Sequence, residues 1–442
     1  MESIRIKLRK HLNADSLIKT IRGCFEKIED KTKKRINKSY PIADALMSAF
    51  AIFSLKCPSL VEFEDHLINE HNLKNIYKIN TVISDTHMRR VLDEVDPKLF
   101  SSAFKKVFAQ VQRGGELKKM QVLDKYYLLS IDGTGYFSSK KIHGNCCLEK
   151  KSKKTGDITY YHQMLGAVLV HPDEKIVLPM LPEPIMKQDG DTKNDCERNA
   201  AKRLLHQIRK DHSHLPLIVI EDGLASNAPH IKELEFNNFR YILGAKKGGH
   251  SFLFHFVDQK VIEGKVSKLE MSDDKNTIHK FRYINNVPIN ESNSDVLVNF
   301  IEYWETKSNG KKQHFSWVTD FELSDDNIYE IMRCGRARWR IENETFNTLK
   351  NQGYHFEHNF GHGNKNLSVV FAFSMMLCFL VDQVQQMSCD LFGKVLEISK
   401  RKKSFWRFIE GCFKFKDCDS MSFLYMWILK RKSIEVFLIN DS

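Results

Sequence analysis

The 442-residue chain is 42% hydrophobic, enough to bury sizeable cores and to form two or three domains. Its formal net charge of +12 favours a polyanionic partner, DNA or RNA first, although solvated surface lysines give the same balance. Arg5, Lys7, Arg9 and Lys10 interrupt any apolar signal segment, and the longest apolar run, Leu367 to Val381, falls short of the ~18 residues of a membrane span; the expectation is a cytoplasmic protein with no membrane partner.

Residues 1–40 are polar and basic, with Lys31, Lys33, Lys34, Arg35 and Lys38 close together. They read as a DNA-contacting arm or a solvated helical face. From Pro41 to about Gln112 the pattern is helical, and Ala43 to Leu55 is apolar on most faces. Ser84 is placed as the N-cap of a helix that carries Arg89 and Arg90, with Val91, Leu92 and Val95 at helical spacing. Several short helices of this kind suit a helix-turn-helix-like module that contacts DNA, and equally a plain helical bundle. Gly114-Gly115 and the charged Glu116 to Lys119 read as a linker.

The texture then changes to strands. Strand one is Tyr127 to Asp132, ending in Asp132-Gly133; strand two runs Ile158 to His171; strand three runs Lys175 to Leu181, with Pro179 limiting its pairing. Asp195 to Arg209 is helical, with Ala200, Ala201, Leu204, Leu205 and Ile208 on one stripe. Strand four, Leu217 to Glu221, ends in Asp222-Gly223. Hairpins make the first three strands antiparallel. The helical crossover then lets the fourth lie parallel beside the first, so that Asp132 and Asp222 sit side by side. That is the ribonuclease-H-like arrangement, in the α/β class. Residues from about Arg240 to Asp320 look β-rich and read as an insertion. A helix from about Arg336 to Asn351 follows, bearing Glu342 and Glu344, and apolar helices with a basic tail finish the chain.

Ten cysteines are scattered without a CxxC pair. The adjacent Cys146 and Cys147 do not match a zinc-ligand spacing, even with His143 three residues earlier; free thiols are expected. The segment Tyr354 to Gly363 holds three histidines and a glutamate, again without a metal-site spacing, and reads as a loop lining the active site or packing on it.

Three converging carboxylates can hold two divalent cations, the requirement for phosphodiester hydrolysis and strand transfer. Asp-Gly after a strand is also ordinary turn chemistry. Arg338-Trp-Arg-Ile-Glu342 and Asp132-Gly-Thr134 resemble the DDE transposases of bacterial insertion sequences, specifically the insertion-sequence-four group, over about residues 120–380. The resemblance implies a ribonuclease-H-like core interrupted by a mostly β insertion, with Asp132, Asp222 and Glu342 as catalytic metal ligands for Mg²⁺ or Mn²⁺, two ions in all. It also implies terminal inverted repeats and target DNA as double-stranded partners, cut-and-paste transposition through a DNA hairpin, and a homodimer on paired ends. The expected layout is a helical DNA-binding region at 1–120, core at 121–235, β-rich insertion at 236–322, core with the glutamate helix at 323–385, and a basic helical region at 386–442.

The group's signature runs Tyr, two residues, Arg, three residues, Glu, six residues, Lys. Arg338 and Glu342 fit it; Gly335 stands at the Tyr position and Leu349 at the Lys position, with Lys350 one residue late. Arg340 and Glu344 repeat the Arg–Glu spacing, but residues two apart on a helix point about 200° apart, so only one glutamate can face the metals. Glu342 is preferred. Its face, shared with Phe346, is expected to be partly buried; the face of Glu344, shared with Arg340 and Thr348, is expected to meet solvent or DNA. Arg338, Lys350 and Arg340 are the expected DNA contacts, and Trp317 or Trp304 could stack a flipped base. The rivals are a related nuclease without strand transfer and a non-enzymatic DNA-binding protein descended from a transposase.

Overall fold

The computed structural model describes residues 4–29, 40–65, 69–144, 146–187, 195–429 and 434–439. The basic run Lys31 to Lys38 lies outside the described residues. The chain opens with β1 (Ile4–Arg9) and α1 (Ala14–Phe25), then α2 (Ile42–Ser54), α3 (Leu60–Asp65), α4 (Glu70–Tyr77), α5 (Asp85–Asp93) and α6 (Ser101–Arg113). Next come β2 (Gln121–Val122), β3 (Tyr126–Ser139), β4 (Leu148–Lys151), β5 (Ile158–Val170), β6 (Leu178–Pro179) and β7 (Glu183–Ile185). Helices and strands then alternate through α7 (Glu197–Asp211), β8 (Leu217–Glu221), α8 (Ala228–Phe236), β9 (Arg240–Gly244) and α9 (Ser251–Ile262). The strands β10 (Ser267–Ser272), β11 (Ile278–Pro288), β12 (Leu297–Thr306) and β13 (Lys312–Thr319) lead to α10 (Ile328–Arg336), a π-helical turn at Ile341–Phe346 and α11 (Asn347–Asn351). The last elements are α12 (Leu367–Ser388), α13 (Asp390–Ser399), α14 (Lys402–Phe415), α15 (Met421–Ile428) and β14 (Ile434–Ile439).

One large mixed sheet organises the molecule, in the order β10-β11-β12-β13-β9-β8-β3-β5-β4, with β2 on β3 and both β6 and β7 on β5. At its centre β3 runs antiparallel to β5 and parallel to β8, and β8 runs parallel to β9. The α7 crossover permits the parallel pair. All five residues of β8 are buried, which explains its unbroken Leu-Ile-Val-Ile run: both faces are covered.

Two expectations for the strands need correction. β3 does not stop at Asp132. It pairs with β5 as far as Ser139, with a bulge between Gly135 and Phe137, so Asp132-Gly133 lies inside a strand rather than in a turn. Strand three is reduced to Leu178–Pro179, since proline has no N–H to give the ladder, and pairing resumes at β7. The strands between residues 267 and 319 extend the same sheet, because β13 pairs antiparallel with β9.

The core behind the sheet centres on α12, which packs against α2, α5 and α6. Helix α12 has 22 residues, longer than its apolar run, and by length and composition could cross a membrane; here its apolar window is wholly buried inside the protein. Its Asp382 accepts from Lys56 Nζ at 2.8 Å and from the Tyr354 hydroxyl at 2.6 Å. Helix α5 braces the segment before α12. Asp93 accepts the backbone N–H groups of Asn364, Lys365, Asn366 and Leu367, and Arg89 donates to the Phe360 carbonyl at 2.7 Å. Arg89 therefore serves packing in this structure. Ser84 precedes α5, but its hydroxyl meets His87 Nδ1 rather than a backbone N–H.

Candidate active site

The strand register sets the first two carboxylates. Ser130 of β3 is level with Ile220 of β8, and Asp132 and Asp222 each follow two residues later. Neighbouring strands are about 4.8 Å apart, so the parallel register carries both aspartates to the same end of the β3–β8 pair, Asp132 still within β3 and Asp222 one residue past β8. Asp222 stands just past β8 in a turn, where its Oδ1 accepts the Leu224 N–H at 2.9 Å. Gly244 of β9 makes room for that turn: a Cβ there would lie 3.1 Å from the Gly223 nitrogen and 3.3 Å from the Asp222 carbonyl carbon.

The third carboxylate comes from the π-helical turn. Rather than one regular helix over 336–351, the chain breaks after α10 and rewinds with wider spacing through Ile341–Phe346. Ile341 and Phe346 lie on Gly166, the residue of β5 that pairs with Asp132. A Cβ at Gly166 would be 2.9 Å from the Phe346 ring. Burial of these two side chains, worth ~1.5–3 kcal/mol each, presses the turn onto the sheet beside Asp132. The Arg338 carbonyl accepts from the Ser130 hydroxyl at 3.2 Å, which fixes the start of the turn.

Arg338 joins the acids. Its Nη1 is 2.7 Å from Glu342 and 3.3 Å from Asp132. The Asp132 carboxyl is pushed up to about 6, chiefly by burial; Arg338 opposes this and the neighbouring Glu342 adds to it. Two acids share the one guanidinium of Arg338, and with Asp222 nearby in register the carboxylates outnumber the cation. The site's donors are carboxylate oxygens, which suit a hard divalent ion; Asp132, Asp222 and Glu342 are the residues that would hold it.

Of the two glutamates, Glu342 faces Asp132. The burial expectations hold only in part: Phe346, on the Glu342 side, is buried as expected. The Glu342 side chain is 49% exposed, whereas Arg340 and Thr348, on the Glu344 face, are buried. Arg340 turns away from the acids, donating to the Pro172 carbonyl at 2.6 Å and facing Glu344 at 3.8 Å. Its face packs inward on the loop after β5 instead of meeting solvent or DNA. Lys350 pairs with Glu357 at 2.8 Å, away from the three acids.

Gly335 has a steric reason. A Cβ there would lie 2.7 Å from the Trp317 indole nitrogen, so the indole of β13 fills the space where the resemblance places a tyrosine. Beside it opens a cavity of about 570 Å³, reaching Asp222 and Arg338 and walled by Phe315, Trp317, Trp339 and Lys246. Trp304 is elsewhere, stacked on His314 with centroids 5.1 Å apart. Trp339, 43% exposed, and Lys246 were missed as site residues. Trp339 lies inside the Arg338–Glu342 motif, and Lys246 lies between the end of β9 and the Gly248-Gly249 pair, so both signals are readable in the sequence.

With this geometry in place, the family is clear: residues 125–380, more than half the chain, match the transposase DDE domain, and the chain belongs to that family. No curated protein matches it. Among solved structures it is similar to a piggyBac transposase seen by cryo-electron microscopy in a synaptic complex with hairpin DNA. The identity there is 10%, over 95% of this chain and 80% of that one, with a TM-score of 0.39.

Proposed function

We propose that the chain cleaves DNA at the ends of an insertion sequence and joins those ends to target DNA, using Asp132, Asp222 and Glu342 on a ribonuclease-H-like sheet. The observation that carries this reading is that Arg338 bridges Asp132 of β3 and Glu342 of the π turn, with Asp222 next after β8, the parallel neighbour of β3, within a transposase DDE domain. Mg²⁺ or Mn²⁺, two ions in all, would supply activation of the attacking oxygen and charge stabilisation at the leaving one. Arg338, released from its carboxylates, is placed to hold a phosphate by charge-assisted hydrogen bonds. The cavity beside the exposed Trp339 offers an aromatic face on which an unstacked base could rest, with Lys246 beside it for the backbone. By the resemblance, the element belongs to the bacterial insertion-sequence-four group, the substrate ends are short inverted repeats flanking the gene, the route is cut-and-paste through a hairpin, and the acting species is a homodimer on paired ends.

The test is cleavage of DNA that carries the gene's own flanking repeats. Cutting at the repeat boundary with Mg²⁺ or Mn²⁺, and none with EDTA, is the expected result. Binding of the repeats without cutting under any divalent ion would instead favour a DNA-binding protein that has lost its chemistry.

A further inference from the structure

A second group of potential ligands lies away from the carboxylates. Cys147 precedes β4, His162 is on β5, and His362 is in the loop between α11 and α12; each offers one atom to a common point. Among the described residues this is the only cluster of its kind. The separations are 3.0 Å between His162 Nε2 and His362 Nδ1, 3.5 Å from Cys147 Sγ to His162 Nε2, and 3.9 Å from Cys147 Sγ to His362 Nδ1. A tetrahedral zinc ion with Zn–S near 2.3 Å and Zn–N near 2.05 Å requires about 3.3 Å between two nitrogens and about 3.6 Å between sulfur and nitrogen. The three atoms stand within a few tenths of an ångström of those edges. We propose that Cys147, His162 and His362 bind a zinc ion that pins the loop after the Glu342-bearing turn to the β4–β5 hairpin.

The three atoms converge closely: His362 Nδ1 is approached by both His162 and Cys147, and the Cys147 sulfur by His162 and by the Gly144 N–H at 3.3 Å. A metal ion serves all three atoms at once. Cys147 and His162 are buried, so the pair is held rather than free to swing. The backbone is shaped for the approach: a Cβ on Gly144 would meet the Gly363 carbonyl oxygen and the His362 Cβ at 3.0 Å. Cys146, next in sequence, directs its thiol to the His362 carbonyl at 3.5 Å, a further tie between this hairpin and the loop.

Donor chemistry separates this site from the carboxylates. A thiolate and two imidazoles suit zinc, whereas oxygen donors suit Mg²⁺. His162 is four residues along β5 from Gly166, the partner of Asp132, so the two sites are about 13 Å apart along the strand. The role is positional. Arg89 and Asp93 of α5 already tie the loop at Phe360 and at 364–367, and a metal at His362 would tie the stretch between them to the β4–β5 hairpin as well.

The experiment is metal analysis of the purified full-length protein after dialysis against Mg²⁺, with cobalt substitution as a second reading. Zinc close to stoichiometric with the chain is expected in the wild type and in Glu342→Gln, with loss in Cys147→Ser and His162→Ala. Reconstitution with Co²⁺ should give a thiolate-to-cobalt charge-transfer band that Cys147→Ser abolishes and that Cys196→Ser, which alters an exposed cysteine, keeps. The Co²⁺ spectrum of the wild type stands even if a variant fails to fold. A wild type that carries no zinc and shows no charge-transfer band overturns the proposal, as does zinc retained in full by Cys147→Ser.

Discussion

Removing the Asp132 charge should stabilise the metal-free protein. The Asp132 carboxyl, ordinarily at 3.8, is pushed up to about 6 in the folded chain by burial and by Glu342, against the pull of Arg338. At 1.36 kcal/mol per unit this sets a ceiling of about 3 kcal/mol on the penalty of ionising it in place. The side chain is 31% exposed, and solvent screening reduces the figure to ~1–2 kcal/mol. The sign follows from proton uptake. Between about pH 4 and pH 6 the folded protein holds more protons at Asp132 than the unfolded chain, so stability falls as pH rises through that window and stays lower above it. Asp132→Asn carries no charge and escapes the penalty. In EDTA at pH 7, urea unfolding followed by tryptophan fluorescence should show the variant more stable by ~1–2 kcal/mol, with the gap shrinking by about half or more at pH 4.5. Added Mg²⁺ should stabilise the wild type more than the variant, because binding to the folded state alone adds stability. A variant less stable than wild type at pH 7 in EDTA, or a gap that does not change with pH, would refute the reasoning.

The same geometry makes three further predictions. Glu342→Gln should eliminate cleavage of end DNA while Glu344→Gln keeps most of it; the opposite pattern in a gel assay would show that the second Arg–Glu pair is the catalytic one. Gly335→Tyr, which restores the group's tyrosine, should displace the Trp317 indole and destabilise the fold by ~1–3 kcal/mol in thermal unfolding, the usual range for overpacking. Asp382→Asn should destabilise by ~3–5 kcal/mol in urea, because it strands the buried Lys56 ammonium; replacing both partners with apolar residues should recover much of that loss.

The central strands were legible because their composition has only one good solution. Leu217 to Glu221 is apolar on both faces and too short for a helix, and the amphipathic α7 before it requires a crossover that leaves β8 parallel to β3. Strand one is expected to end at Asp132 because Asp-Gly commonly closes a strand; cross-strand pairing with β5 carries β3 past it. The π turn carries no residue pattern of its own. A helical wheel at about 100° per residue cannot show that Arg340 folds inward onto Pro172 while Glu342 stays half-exposed. Gly335 stands where the resemblance places a tyrosine because Trp317 packs against it, a contact between distant segments that sequence alone does not show. The cluster of Cys147, His162 and His362 was invisible for the same reason: spacing rules compare neighbours, and these ligands come from three separate elements.

The most direct test of the central claim is Asp222→Asn, because Asp222 joins the other two acids through strand register alone. DNA binding and cleavage should be measured side by side on the same end fragment in Mg²⁺. Binding rests on basic side chains and should stay within ~2-fold of wild type. Cleavage should fall by ~10³-fold or more, the loss expected when several kcal/mol of metal-borne charge stabilisation is removed. Cleavage at the wild-type rate by Asp222→Asn would contradict the assignment of Asp132, Asp222 and Glu342 to one catalytic centre.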